Sequence, residues 1–386
     1  MSGALKRDEW ETTKWYSLKD LSVTKLEYGS GASAIPYDGD VRYLRITDIA
    51  VDGSLTEDFV SPNVYDSKYL LKEDDLLFAR TGATVGKTLL FKEKYGKCIY
   101  AGFLIRLVPN KDLVVPEYLY YFTKSPRYLA FVQKSMKVVA QPNINAKQYG
   151  DLKISLPSLD VQRRIADTLD KVTELITLRK TQLEKLDELV KSRFVELFGD
   201  RYTNDKNWEN KPLYECADFY NGKAHEQVVD ENGEYILVTS RCIASDITDY
   251  RRTNALLFPL KINDIAMVMS DVPNGRALAK CILIDEDDKY TLNQRICCLR
   301  NYLFNPIFFY YLLNRHEYFL SFNDGNAQTN LRKDDLLACN IIMPPLELQN
   351  QFAAFVEQTD KSKVIIQQNL DTLETLKKSL MQEYFG

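Results

Sequence analysis

QPNINAKQYGDLKISLPSLDVQRRIADTL occupies residues 141–169, and QTNLRKDDLLACNIIMPPLELQNQFAAFV occupies residues 328–356. The two stretches align without a gap at a constant offset of 187. The alignment runs on to KSRFVELFG (191–199) and KSLMQEYFG (378–386). Fifteen of the 59 positions in 141–199 are identical to their counterparts in 328–386. Self-similarity at a fixed spacing marks a duplicated structural unit. Upstream the likeness is weaker but continues. RYLRITDI (42–49) echoes EYILVTSRCI (234–243), EDDLLFARTGATVGKT (73–88) echoes INDIAMVMSDVPNGRA (262–277), and PEYLYYFTKSPRY (116–128) echoes NPIFFYYLLNRHEY (305–318). The chain therefore reads as variable module, shared segment, variable module, shared segment.

Each shared segment predicts a long helix. After Pro157, seam residues recur at steps of three and four: Leu169, Val172, Ile176, Arg179, Leu183, Leu186, Val190, Arg193 and Leu197. After Pro344 and Pro345 the second copy gives Val356, Thr359, Lys363, Ile366, Leu370, Leu373, Lys377, Leu380 and Tyr384. Alternating threes and fours make a heptad seam, which needs a partner helix. The seams are in phase and of similar length, so each helix is the natural partner of the other, as an antiparallel pair. A helix of about 30 residues spans roughly 45 Å. That is the length of about 13 base pairs of duplex. Two separate helices, each packed on its own module, remain the alternative.

The modules read as mixed α/β. Short β-rich runs stand out: VRYLRITDI, DDLLFAR, TLLFK and CIYAGFLIRLV in the first, YILVTS, DIAMVMS, AKCILID and RICCLR in the second. One amphipathic helix is expected near 116–134 and its counterpart near 305–321. Their aromatic residues (Tyr118, Tyr120, Tyr121 and Phe122; Phe308, Phe309, Tyr310 and Tyr311) have helical spacing and read as core. The expected organisation is a module at 1–150, a shared region at 151–199, a second module at 200–338 and a second shared region at 339–386.

Composition narrows the function. The net charge is −4, so any DNA-binding groups must be gathered on one face or supplemented by a partner. Seven cysteines and two histidines, with no CxxC pair, give no zinc pattern and suggest reduced, buried thiols. No metal is expected. GATVGKT (82–88) has three residues between its glycines where a phosphate-binding loop has four, and DVPNGRA lacks GK[ST] altogether. A nucleotide-binding reading of that loop is the weaker one. Methyltransferase and nuclease motifs are absent from the sequence, and no catalytic residue is assigned. No apolar run is long enough to cross a membrane, and the charged start MSGALKRDEWE does not have the pattern of a signal peptide. The cytoplasm is the expected location.

Loop residues able to pair with base edges or hold phosphates are the candidate contacts. In the first module they are Arg42, Arg45, Arg80, Thr81, Lys87, Lys137, Gln141, Asn143 and Asn145. In the second they are Thr239, Ser240, Arg241, Ser270, Asn274, Arg276, Arg295, Gln328, Asn330 and Arg332.

The two-fold plan, the paired endings, and the helix starts LPSLDVQRRI (156–165) and MPPLELQNQF (343–352) resemble the specificity subunits of type I restriction-modification enzymes. The resemblance covers essentially the whole chain. It implies two target recognition domains separated by an antiparallel pair of long coiled-coil helices, an α+β architecture with an internal pseudo-two-fold repeat. Each domain would read half of a bipartite, asymmetric site in double-stranded DNA. Two methylation subunits would dock on the helices, and restriction subunits would join them. S-adenosylmethionine, ATP and Mg2+ would belong to those partners, with no cofactor in this chain. A coiled-coil adaptor that binds only protein, and the specificity subunit of a related fused modification and restriction system, are the competing readings.

Overall fold

The computed structural model describes residues 13–136, 142–271, 277–323 and 329–386. Two compact units divide the chain: residues 1–180 with 368–386, and residues 181–367. Each unit therefore holds one module, one half of the first long helix and the opposite half of the second.

In the first unit a four-stranded antiparallel sheet runs in the order Glu27–Tyr28, Leu104–Leu107, Leu76–Ala79, Thr88–Leu90. Arg42–Leu44 pairs in parallel with Cys98–Tyr100 beside it. Successive residues of a strand face opposite sides. Leu76 and Phe78 join a core with Tyr118, Leu119, Phe122 and Tyr128. Leu77 and Ala79 join a second core with Leu44, Tyr100 and Leu104. Both faces are covered, which is why LLFA is apolar throughout rather than alternating.

The second unit repeats this plan. Its sheet runs Asp218–Asn221, Ile296–Arg300, Ile265–Val268, Cys281–Leu283. Tyr235–Val238 pairs in parallel with Tyr290–Leu292 and antiparallel with Arg251–Thr253. Ile265 and Met267 face a core with Phe308, Phe309 and Leu312, whereas Ala266 and Val268 face the other side.

Three expected elements are divided. The helix expected near 116–134 is two helices, Pro116–Phe122 and Pro126–Met136. Its counterpart near 305–321 is likewise Pro306–Leu313 and Glu317–Leu320. Pro126 disfavours a helical conformation at Ser125 and keeps the first helix, which ends at Phe122, from running on into the second. CIYAGFLIRLV is also two strands, Cys98–Tyr100 and Leu104–Leu107, with a turn between them.

The long helices are Leu159–Phe198 and Leu346–Phe385, 40 residues each. They exceed the expected 30 because the first turns carry a different buried face. Val161, Gln162, Ile165 and Ala166 pack on the module before the heptad seam begins. None of the 18 expected seam positions is exposed. In the second unit Lys363 pairs with Asp187 at 2.5 Å, and Phe352 packs on Phe194 with ring centroids 5.4 Å apart. In the first unit Lys180 pairs with Glu374 at 2.9 Å, and Phe385 packs on Tyr118 and Phe122.

One residue of the shared segments explains how each module is fixed to its helix. Gln162 is 1% exposed; its Oε1 accepts from Val115 N at 2.9 Å, and its Nε2 donates to the carbonyls of Pro157 and Leu113. Gln349, 3% exposed, repeats the arrangement: Oε1 accepts from Asn305 N at 2.9 Å and Nε2 donates to Pro344 O at 2.8 Å. The acceptor in each case receives the backbone N–H just before the module's proline-started helix, a donor that the helix itself leaves orphaned. A strand pair completes each attachment: Lys14–Ser17 with Lys153–Leu156, and Asn210–Pro212 with Asn340–Ile342.

The second unit also buries a titratable ring. His316 is 2% exposed, its Nδ1 accepts from Tyr318 N at 3.2 Å, and its Nε2 has no partner among the described residues. Burial, reinforced by the Arg201 guanidinium, pushes its pKa down to about 4.

Two outcomes follow from these buried groups. Gln349→Ala leaves Asn305 N–H without its acceptor and is expected to destabilise the protein by about 2 kcal/mol. Gln351→Ala, an exposed neighbour, is expected to stay within about 0.5 kcal/mol; urea denaturation of both variants checks this. His316 folds as the neutral ring, while the unfolded ring takes up a proton below its ordinary pKa of 6.5. Stability contributed by the neutral ring is therefore lost as pH falls from about 6.5 toward 4 and changes no further below that. A stability profile measured between pH 7 and 4 is expected to flatten in His316→Asn.

Candidate nucleic-acid interface

The loop that resembles a phosphate cradle is committed elsewhere. A cradle needs free backbone N–H groups. Here Gly82 N donates to Pro142 O, Val85 N to Gly82 O, Gly86 N to Ala79 O and Lys87 N to Thr84 O. Lys87 Nζ donates to Ile49 O at 3.0 Å. Gly86 has φ +84° and lies against Val132, where an added Cβ would approach to 2.7 Å. The segment is a packed turn that returns the chain from Leu76–Ala79 to Thr88–Leu90.

The expected contact residues separate by what their side chains already do. Arg42 is buried: its guanidinium donates to Thr56 O and lies 4.0 Å over the Phe59 ring. Arg45 is held by Asp48 at 2.7 Å and Asp58 at 2.6 Å, which keep it firmly cationic and neutralised. Asn145 caps the helix Ala146–Asp151, accepting from Gln148 N at 2.9 Å. Thr239 caps Ser240–Ala244 in the same manner, through Cys242 N. Ser240 Oγ donates to Ser270 O at 3.2 Å, and Arg241 is paired with Asp249 at 2.5 Å. The Ser270 hydroxyl is buried with no partner among the described residues. Ser270 pairs with Asn330 across a short antiparallel ladder, the counterpart of the Thr81–Asn143 bridge in the first module. Arg332 is exposed ahead of Lys333–Leu337. Lys137, Gln141, Asn274, Arg276 and Gln328 lie outside the described residues.

Two of these residues stand at the exposed end of the sheet in related positions. Arg80 follows Leu76–Ala79, and its backbone N donates to Phe103 O at 3.0 Å; Phe103 is 59% exposed. In the second module Met269 follows Ile265–Val268, and its N donates to Arg295 O at 3.0 Å. Arg295 is exposed, with φ +73°. Arg80 is oriented on two sides. Its guanidinium lies 4.6 Å over the Tyr28 ring, and Nε donates to Asn143 Oδ1 at 3.2 Å. Tyr28 is itself held, since its hydroxyl accepts from Ala146 N at 3.1 Å. Near Arg295 lies a polar hollow of about 370 Å³, lined by Arg241, Arg251, Asn293 and Arg295 and also by the carboxylates Glu226 and Asp249.

Sequence reasoning missed Tyr28, Phe103, Arg251 and Asn293. A glycine gives a partial signal for this region. An added Cβ at Gly29 would fall 2.2 Å from Tyr100 O, and one at Gly222 would fall 2.1 Å from Asn293 O. In both modules a glycine thus lets one loop lie directly on the turn that ends at Phe103 or Arg295.

The model of the family described as type I restriction modification DNA specificity domain matches residues 16–188 and again 205–375. A specificity subunit of a type I restriction enzyme from Methanocaldococcus jannaschii, MjaVIII, is 24% identical over 345 residues, covering 82% of this chain and 80% of its own. A chain solved in a study of assembly and conformational transition of the type I R-M system shares the fold. It has a TM-score of 0.61 and 16% identity, and 97% of each chain is covered. The type I restriction-modification S subunit of M. genitalium does so with a TM-score of 0.57 and 15% identity, covering 99% of this chain and 98% of its own. With two matched domains spanning most of its length, this chain belongs to the type I restriction-modification specificity subunits.

Proposed function

We propose that each module reads one half of a bipartite, asymmetric site in double-stranded DNA, and that the two long helices clasp as an antiparallel coiled-coil pair that sets the unread spacer. The division into a module at 1–150, a helix region at 151–199, a module at 200–338 and a helix region at 339–386 follows that reading. Contacts between the helices support the pairing. Within one unit residue 187 meets 363 and residue 194 meets 352, so the partners run in opposite sequence order. The observation that carries the proposal is a scaffold repeated with divergent ends. Strand order, glutamine clamp and helix attachment recur, while the exposed ends differ: Arg80 and Phe103 in one module, Met269 and Arg295 in the other. A shared frame with unlike ends is what two different half-sites require.

The helices also carry exposed apolar residues away from the seam. Leu178 and Ile365, and Leu189 and Leu376, occupy equivalent repeat positions and are 53%, 60%, 49% and 44% exposed. Such residues at repeated sites suit two similar docking faces for two methylation subunits, with restriction subunits joining the assembly. S-adenosylmethionine, ATP and Mg2+ would then act on those partners, and this chain would contribute recognition without catalysis, in the cytoplasm. No helix among the described residues is long and apolar enough to cross a membrane.

The test is to express the chain with its methylation partner in a host lacking other DNA modification and to map methylated bases across the genome. A motif of two half-sites separated by a fixed gap is expected. Unmodified DNA, or a single continuous motif, would overturn the proposal.

A further inference from the structure

We infer that the backbone-bonded pair of positions at the exposed sheet end, 80 with 103 and 269 with 295, holds the guanine-reading arginine of each module: Arg80 in the first and Arg295 in the second. The inference rests on the DNA-reading function proposed above and names the residues that determine specificity within it.

The argument begins with equivalence. Arg80 and Met269 each follow the central strand of their sheet, and Phe103 and Arg295 each precede the next strand in from the edge. In both modules the same hydrogen bond, at 3.0 Å, joins the two positions. Each pair contains one arginine and one apolar residue, in opposite order. Met269 is partly buried against its core, while Phe103 is exposed.

The state of the arginines favours base contact. Arg42 is buried, and Arg45 and Arg241 are neutralised by carboxylates. Arg80 and Arg295 have no carboxylate partner among the described residues. The Arg80 guanidinium lies 4.6 Å over the Tyr28 ring, and its Nε donates to Asn143 Oδ1. Among the described residues no hydrogen bond occupies its Nη1 and Nη2. Guanine offers O6 and N7 side by side in the major groove, the spacing that two guanidinium nitrogens match. An arginine restrained at its Nε with that edge free loses less rotamer entropy on contact than a mobile one. A phosphate presents two oxygens to the same edge, so the salt dependence of binding is what separates the two contacts.

The test uses the chain assembled with its methylation partner and duplexes carrying the mapped site. Each guanine is replaced singly by 7-deazaguanine, which keeps base pairing and removes the N7 acceptor. Affinity is measured by fluorescence anisotropy at fixed salt. For the unaltered complex, one such replacement in one half-site is expected to weaken binding about tenfold. That penalty is expected to vanish in Arg80→Met, which installs the residue found at the counterpart position 269, and to be reduced in Arg80→Lys, whose ammonium still reaches N7 but lacks the planar fork. A guanine in the other half-site should behave in the same way toward Arg295→Ala. The inference is overturned if every penalty is the same in variant and unaltered complexes, if a half-site contains no guanine, or if the variants weaken all duplexes equally with a shallower salt dependence, the mark of phosphate contacts. Should the unaltered complex show no bipartite preference, the DNA-reading function itself fails, a result distinct from any of these.

Discussion

A buried glutamine near the start of each long helix holds the architecture together. Gln162 and Gln349 satisfy the orphaned N–H ahead of a module helix and at the same time bond the carbonyl of the proline that introduces the long helix. A buried amide that meets its partners in this way tolerates little displacement, because each bond lost leaves a desolvated polar group. Module and long helix are therefore fixed to each other in register. Any function that depends on where a module's exposed end points depends on this pair of side chains.

Around that attachment, the units separate constant from variable positions. The sheet in each unit is apolar on both faces, with one face against helices and the other against a second small core. Changes there would open cavities or force repacking. The ends of the strands carry no such constraint. Position 103 can be phenylalanine where its counterpart at 295 is arginine, and position 80 arginine where 269 is methionine.

The sequence revealed the repeat and the less exposed face of each long helix because both depend on residue type at fixed spacing. Apolar and long-stemmed residues three and four apart share one helix face whatever the surroundings, and none of the 18 seam positions is exposed. The roughly ten extra residues at the start of each helix, nearly three turns, are not part of the seam because their buried residues, such as Val161 and Ile165, face a module. The break at Ser125 was visible in principle, since Pro126 follows it. The roles of individual arginines were not legible. Arg45 is neutralised by Asp58, thirteen residues away, and Arg80 is steadied by Tyr28 and Asn143, 52 and 63 residues away. Such pairings depend on strand order, which residue spacing does not encode.

The close approach at Gly29 and Gly222 has a consequence for how such a protein changes over generations. The turn ending at residue 103 or 295 is held by main-chain contacts and by the missing side chain of a neighbouring glycine, so the residue at its tip contributes little to folding. Replacement at 103 is nearly free of thermodynamic penalty, whereas at 295, with φ +73°, β-branched residues are disfavoured. A lineage can therefore exchange the exposed side chain at this turn by a single codon change, without first acquiring a compensating mutation in the interior.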